Sequence, residues 1–392
     1  MSRRPAFSFL EFFAGGGMAR TGLGDGWTCL FANDLDPLKA SVYRANFGGE
    51  HLTLGDVWAL DAADLPAKAD LAWASSPCQD LSLAGARAGL DGARSSAFWG
   101  FWRQIAALDA AGGAPRVIVL ENVAGLLSSN GGGDLAAIGQ AFAARGYRFG
   151  ALAIDAAAFL PQSRPRAFVV AARGPVDGLA GDRPGPFASP SVIRAAERLP
   201  ESLKRQWVWW LLPPAPGRNT TLAGMLEPDA AVAWRSDAET AVLLGQMCAL
   251  HRARLAAAAG RQERVVAAVY RRVRIEGGVR VQRAELRLDG LAGCLRTPGG
   301  GSSRQLLVFA ERGRVRSRWM TPREGARLMG LPESYRLPAG HTAAWRVIGD
   351  GVATPVVRHL AAHLLEPLIG RRIDSAEPDA TISERTRRRA SA

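Results

Sequence analysis

The chain has 392 residues, 48% of them hydrophobic, and 49 Lys and Arg against 36 Asp and Glu give it a net charge of +13. It is long enough for two domains with a buried core, and no apolar run approaches the roughly 20 residues that cross a bilayer. The four cysteines, Cys29, Cys78, Cys248 and Cys294, show no Cys-x-x-Cys spacing, so that neither a disulfide framework nor a zinc knuckle is suggested and a reducing cytoplasm fits.

Arg3-Arg4 followed by Phe7 to Phe13 imitates a signal peptide, but Glu11 splits the apolar run and the stretch reads as a first strand. From Phe7 to about Ala172 strand and helix patterns alternate, as in a doubly wound α/β sheet. The first strand runs into Phe13-Ala14-Gly15-Gly16-Gly17, where missing side chains let a ligand approach the backbone. A tight turn alone would also explain those glycines. The second strand ends at Asn33-Asp34, and a carboxylate there can accept hydrogen bonds from ribose hydroxyls. Asp36 then caps a helix that has Pro37 at its first position. Asp56, in Gly55-Asp56-Val57, is placed to receive a purine amino group, so an adenosine-containing ligand accounts for all three features.

The apolar run Leu71-Ala72-Trp73-Ala74 leads into Ser76-Pro77-Cys78-Gln79. Ligands of open α/β sheets bind outside the carboxyl ends of the strands, so a cysteine just past one is placed to act as a nucleophile. A buried structural thiol is the commoner fate of a lone cysteine. Val117-Ile118-Val119-Leu120 ends in Glu121-Asn122, with Glu121 the candidate acid or, alternatively, a carboxylate satisfied by a helix N-terminus. In Gln162-Ser163-Arg164-Pro165-Arg166 two arginines two residues apart share a face if extended, and can grip a phosphate or a base carbonyl unless they are ordinary surface arginines.

A Gly/Pro-rich stretch from Gly174 to Pro190 reads as a linker, and composition changes after it, with Trp207, Trp209 and Trp210 clustered as core residues. Residues 251 to 320 hold sixteen arginines, no lysine and five acids, a local excess of 16 − 5 = 11. A polyanion is the natural partner of such a segment, the alternative being a solvated surface of a chain that prefers Arg to Lys throughout. Thr321-Pro322-Arg323-Glu324 is a capping box that restores regular patterning. His359 and His363 stand at the i, i+4 spacing of a zinc protease helix but lack its glutamate, so no metal site is expected. The tail from Ser375, ending in Arg387-Arg388-Arg389, has no apolar periodicity and reads as disordered.

Taken in order, these segments resemble the DNA cytosine-5 methyltransferases of bacterial type, which share an ordered series of sequence blocks. Nine are recognisable: residues 13–17, 33–36, 55–57, 76–79, Arg94 to Phe98, 121–123, 161–166, Thr321 to Pro332 and Ile348-Gly349-Asp350-Gly351-Val352. The resemblance implies a Rossmann-like methyltransferase sheet with a smaller, mixed target-recognition domain. Its division would be 1–174 catalytic, 175–318 target recognition, 319–370 returning to the catalytic domain and 371–392 disordered. It implies methyl transfer from S-adenosylmethionine to C5 of a cytosine flipped out of double-stranded DNA, through a covalent bond from Cys78 to C6. Glu121 would act at N3, with Arg164 and Arg166 holding the base carbonyl and flanking phosphates.

The resemblance places the cofactor against Phe13, Ala14, Gly15, Gly17, Asp34, Leu35, Asp56, Val57, Pro77, Asp350 and Val352. It places DNA against Gln79, Ser82, Arg94, Arg296, Thr297, Gly299, Gly300, Gly301 and Arg304. Relative to the family, Glu11 replaces a usual aspartate, Asp34 a usual glutamate, Met18 a common glycine and Asp350 a common asparagine. A cytoplasmic, nucleoid-associated monomer is expected, acting in restriction-modification beside a cognate restriction endonuclease or in epigenetic methylation. The alternatives are the transfer-RNA branch, whose Cys-Phe-Thr signature is absent, and a non-catalytic DNA-binding relative, which the joint retention of Cys78, Glu121, Arg164 and Arg166 opposes.

Overall fold

The computed structural model describes residues 6–77, 97–297 and 304–370. Its centre is a seven-stranded sheet built from β1 (Phe7–Phe12), β2 (Trp27–Asp34), β3 (Leu52–Leu54), β4 (Leu71–Ala74), β5 (Val117–Val123), β6 (Arg148–Asp155) and β7 (Pro165–Ala172), in the order β3-β2-β1-β4-β5-β7-β6. The first five strands are mutually parallel, and β7 runs antiparallel to both β5 and β6. Parallel strands are buried on both faces, hence their continuous apolar runs. Successive side chains divide between the two faces: Phe9, Trp73 and Val119 point into one core, Leu10, Phe12, Ala72 and Leu120 into the other.

Helices α1 (Met18–Leu23) and α2 (Pro37–Phe47) follow β1 and β2, while α3 (Ala97–Ala110) and α4 (Gly133–Ala143) cover the second core. In α2 the Asp36 carboxylate accepts from Leu38 N at 3.0 Å and Pro37 opens the helix, as the sequence indicates. Residues 176–212, assigned from the sequence to the second domain, bury Val176, Leu179, Val208, Trp210 and Leu212 in the first core. Here the short strands β8 (Ala180–Gly181) and β9 (Trp209–Trp210) pair, α5 (Pro190–Glu197) and α6 (Glu201–Lys204) intervene, and Trp207 and Trp210 are buried against β6. Composition alone could not show that a Pro-rich stretch wraps the sheet edge.

Beyond it, α7 (Asp237–Gly245) and α8 (Ala249–Ala259) pack on one face of a four-stranded antiparallel sheet. Its strands β10 (Val265–Glu276), β11 (Val279–Arg287), β12 (Leu306–Glu311) and β13 (Arg314–Trp319) lie in the order β11-β10-β12-β13. Alternation along β12 sends Leu306, Val308 and Ala310 towards α7 and α8, and Leu307 and Phe309 into the main core. The chain then returns through α9 (Pro322–Leu328), α10 (His341–Asp350), α11 (Thr354–Leu360), one π-helical turn at Ala361–Leu365 and α12 (Glu366–Gly370). Among the described residues no helix is long and apolar enough to cross a membrane.

The return is fixed by a buried ion pair. Arg318 and Glu324 are both fully buried, with guanidinium nitrogens 2.9 and 2.5 Å from the carboxylate oxygens. Glu324 also accepts from Thr321 N and Glu227 N, each at 2.9 Å, so the α9 capping box joins β13 to residue 227. Removing one partner strands a buried charge. Glu324→Ala should therefore cost about 3–5 kcal/mol in urea unfolding; a loss below about 1 kcal/mol would show that the pair does not hold the return.

Candidate active site

A cavity of about 820 Å³ opens where the carboxyl ends of β1, β2, β4 and β5 converge, at the point where the strand order reverses and such sheets bind ligands. At the end of β1 the backbone turns sharply: Phe13, Gly15 and Gly17 all have left-handed φ, 56°, 58° and 80°. A bulky residue there is strained, a feature that clusters at functional sites. Asp34 holds the turn, accepting from Gly15 N at 2.7 Å and from Asp36 N at 2.8 Å. Burial raises its pKa, and the two amides oppose the shift. The carboxylate read as a ribose acceptor is thus first a clamp on the glycine turn, with capacity for further bonds.

Asp56 lies across the cavity from the glycine turn, its Oδ1 capping the 3₁₀ turn Val57–Ala59 through Trp58 N at 3.0 Å. Leu35 stands at the rim, 67% exposed. The buried indole N–H of Trp58, also in the wall, has no hydrogen-bond partner among the described residues. A glycine-lined wall, apolar Phe13, Leu35 and Val57 and carboxylates at Asp34 and Asp56 fit an adenosine-bearing cofactor.

At the other end of the cavity, Glu121 is buried and 3.0 Å from Arg166 Nε. Its pKa is raised by burial, opposed by Arg166, Arg164 and a hydrogen bond from Ser75. Next to it Asn122 Nδ2 donates to Ser76 O at 3.0 Å and to Ser76 Oγ at 3.2 Å. Strand β5 therefore fixes the segment that reaches Pro77, the last described residue before Cys78, on the same cavity wall. Cys78, Gln79, Ser82, Arg94, Gly299, Gly300 and Gly301 lie outside the described residues.

The paired arginines, read alike from sequence, part company. Arg166 lines the cavity beside Glu121. Arg164 is 1% exposed and donates to Leu295 O at 2.8 Å, Gly349 O at 2.8 Å and Gly351 O at 2.5 Å. Its guanidinium is committed to backbone carbonyls, so it braces three segments and is not presented to a base. Burial lowers its pKa to about 10, which leaves it charged.

The last sequence block closes the cavity through Asp350 and Val352. Asp350 pairs with Lys39 Nζ at 2.7 Å and accepts from Thr297 Oγ1, so the acid found where asparagine is common has a cation of this chain beside it. Met18 is accommodated likewise, its sulfur lying where a Cβ on Gly351 would fall. Arg296 is exposed, and Arg304 donates to Thr342 Oγ1 at 3.0 Å, so both described roots of the glycine-rich loop, Thr297 and Arg304, rest on α10.

Two cavity residues had no signal in the sequence, Lys39 and Arg346, which pairs with Asp36 at 2.9 Å; nor had Tyr335, which backs the glycine turn by donating from its OH to Gly16 O at 2.6 Å. His359 and His363 pack ring against ring at 4.7 Å, with His359 Nε2 2.9 Å from Pro213 O. Among the described residues no cluster of metal-ligating side chains exists.

The profile of the family described as "C-5 cytosine-specific DNA methylase" matches residues 7–201 and 279–366. The chain is 26% identical to the Type II methyltransferase M.HpaII of Haemophilus parainfluenzae over 378 residues, 93% of this chain and 91% of that protein. It is 24% identical to the Type II methyltransferase M.HhaI of Haemophilus parahaemolyticus, over 91% of this chain and 93% of the other. The S. pombe Dnmt2 methyltransferase structure superposes with a TM-score of 0.58 at 19% identity, covering 92% of this chain and 99% of its own.

A Cβ on Gly349 would lie 2.2 Å from Thr297 N and 2.4 Å from Arg296 C, whereas one on Gly351 meets the Met18 side chain. Backbone yields less than a thioether, so Gly349→Ala should cost about 1–3 kcal/mol in chemical denaturation and Gly351→Ala less. The reverse order would contradict this packing.

Glu11, buried under the glycine turn with Arg20 N and Tyr43 OH on its carboxylate, has its pKa raised to about 8 by burial. The folded state keeps a proton that the unfolded chain surrenders, so stability falls as pH rises from about 5 to about 8. Glu11→Gln should flatten the Tm of the cofactor-free protein over that window, and unchanged pH dependence would refute the assignment.

Proposed function

The chain belongs to the C-5 cytosine-specific DNA methylases, and on that premise we propose that Cys78 and Glu121 perform the chemistry on a cytosine swung out of duplex DNA. The protein is an S-adenosylmethionine-dependent DNA cytosine-5 methyltransferase. The observation that carries the residue assignment is the pairing of β4 with β5, which sets the segment ending at Pro77 beside buried Glu121 on one cavity.

Cytosine C5 is a weak nucleophile. Addition of the Cys78 thiolate to C6 forms a C–S bond and moves electron density to C5. Burial favours the protonated form of Glu121, which can donate to N3 and offset the charge that develops there. C5 bonds to the electrophilic methyl group that the bound cofactor would supply, the sulfonium–methyl bond breaking with its electron pair left on the sulfur of S-adenosylhomocysteine. Loss of the C5 proton to a solvent base returns its bonding electrons to the ring, and departure of Cys78 as thiolate restores the aromatic ring. Arg166, held by Glu121 at 3.0 Å, is the cation placed for the base carbonyl, and Arg164 serves as a brace behind the site. Neither reacting carbon is accessible within a stacked duplex, so the base must leave the helix at a cost of a few kcal/mol.

Phe13, Ala14, Gly15, Gly17, Asp34, Leu35, Asp56, Val57, Pro77, Asp350 and Val352 would hold the cofactor, with the Asp34 carboxylate as acceptor for ribose hydroxyls and Asp56 for a purine amino group, above buried Glu11. Residues 175–318 include the part that reads DNA, a stretch in which α7, α8 and β10 to β12 build most of a second sheet with its own helices, its other face packed on the main core. Gln79, Ser82, Arg94 and the loop from Arg296 to Arg304 complete the DNA contact. A restriction-modification role beside a cognate endonuclease is supported by the Type II naming of its relatives; we assign a cytoplasmic, nucleoid-associated monomer, in keeping with action on one flipped base.

Transfer of labelled methyl groups to unmethylated duplex DNA and, in parallel, to transfer RNA tests the reading. Label at cytosine C5 in DNA within one short sequence context is expected. Glu121→Gln should lower kcat/KM by about 10²–10⁴-fold and Cys78→Ala should abolish transfer. A Cys78→Ala protein that still methylates DNA would refute the mechanism.

A further inference from the structure

Strand β10 is longer than the sheet it belongs to. Its residues 265–269 pair with β12, Val265 opposite Ala310 and Val269 opposite Leu306. Its residues 270–276 pair only with β11, from Tyr270 opposite Glu285 to Glu276 opposite Val279. Seven residue pairs thus extend past β12; Ala284, opposite Arg271, is still bridged to Met247, and the five pairs beyond it overhang as a two-stranded ribbon, which at roughly 3.3 Å per residue reaches about 17 Å. The register also gives the direction. The ribbon projects past Leu306, the first residue of β12, hence from the sheet end at which the chain arrives from the Arg296–Arg304 loop. That loop is rooted on α10 at the cavity rim.

An isolated two-stranded ribbon is marginal in water, and this one bears costly groups. Arg272 lies directly opposite Arg283, and like charges so placed are destabilising. Ile275 is 77% and Val279 64% exposed at the tip. Strand parity puts Tyr270, Arg272 and Arg274 on the side of Ala268, which packs into the main core, so these arginines front the catalytic domain. Glu285 pairs with Arg274 and lies 3.6 Å from Arg272 Nε, while Glu276 pairs with Arg283. Exposed pairs of this kind contribute little stability, but they orient the guanidiniums, whose planar fork leaves further donors for a phosphate.

We propose that the β10–β11 overhang is a DNA arm whose Arg272, Arg274 and Arg283 bind duplex phosphates beside the target base. The inference rests on the DNA-methylating function stated above. A two-stranded ribbon fits the major groove, and a polyanion relieves the opposed arginines. Phosphate contacts hold position and carry no sequence information. The arm therefore sets affinity and leaves the recognised sequence to the loop.

The test is duplex-DNA binding by fluorescence anisotropy across a salt series, with the full chain and its R272Q/R274Q/R283Q variant. Three lost phosphate contacts should flatten the slope of log K against log salt by about 2.7. KM for DNA should rise, with kcat at saturating DNA and the methylated sequence unchanged. The R272K/R274K/R283K variant should restore the slope. If the triple glutamine variant loses its fold by circular dichroism, R272Q alone should flatten the slope by about 0.9. Wild-type binding to DNA with an unaltered slope in the glutamine variants would overturn the arm while leaving the function intact. A wild-type chain that binds no duplex would overturn both.

Discussion

Three distant stretches of chain meet on the guanidinium of Arg164. It donates to the carbonyls of Leu295, Gly349 and Gly351, and so joins the foot of β7, the approach to the glycine-rich loop and the last cavity wall. Gln162 reinforces the joint, donating to Leu328 O at 2.6 Å and accepting from Leu295 N at 3.3 Å, while Ser163 N donates to Ala292 O at 3.0 Å. Backbone carbonyls at loop ends need partners when buried, and a five-donor planar group can satisfy several at once. The cavity then has a floor from the parallel strands and a rim from segments more than a hundred residues further on. The approach to the glycine-rich loop and the last cavity wall share the Arg164 guanidinium as one attachment, so displacement of one strains the other.

Chemistry at the site follows from burial on this frame. Glu121 lies on a central strand with low-dielectric surroundings on both faces, which favours its protonated form, and Arg166 limits that preference. Asp34 spends its charge on the glycine turn, an ordering that costs the ligand nothing later. Asn122, whose amide ties Ser76 to β5, presets the segment that ends at Pro77, next in sequence to the proposed nucleophile.

Much of this was legible in the residues. Continuous apolar runs ending in Gly15, Asp34, Pro77 and Glu121 marked parallel strands converging on a crevice, because strand ends at a switch point are where such sheets present polar groups. Asp36-Pro37 and Thr321 to Glu324 marked helix starts by local hydrogen bonding, which needs no tertiary information. Long-range commitments were not legible. Arg164 and Arg166 look equivalent in a five-residue window, and only packing separates a brace from a cavity residue. Lys39 and Arg346 gain meaning from partners hundreds of residues away or across a loop. The stretch after Gly174 reads as a linker by its Pro and Gly content, yet Trp210 and Leu212 fill the main core. The ribbon was hidden because strand length against sheet length is a property of pairing.

The central claim is a covalent bond between Cys78 and C6 of the target cytosine. Duplex DNA carrying 5-fluorocytosine at the methylated position tests it directly, since a C5–F bond leaves no proton to lose and release of the cysteine is blocked after methyl transfer. Intact-mass analysis should show a one-to-one protein–DNA adduct, with peptide mapping placing the link at Cys78. Methylation of the ordinary duplex without any adduct on the fluorinated one, or a link at Cys29, Cys248 or Cys294, would contradict the account.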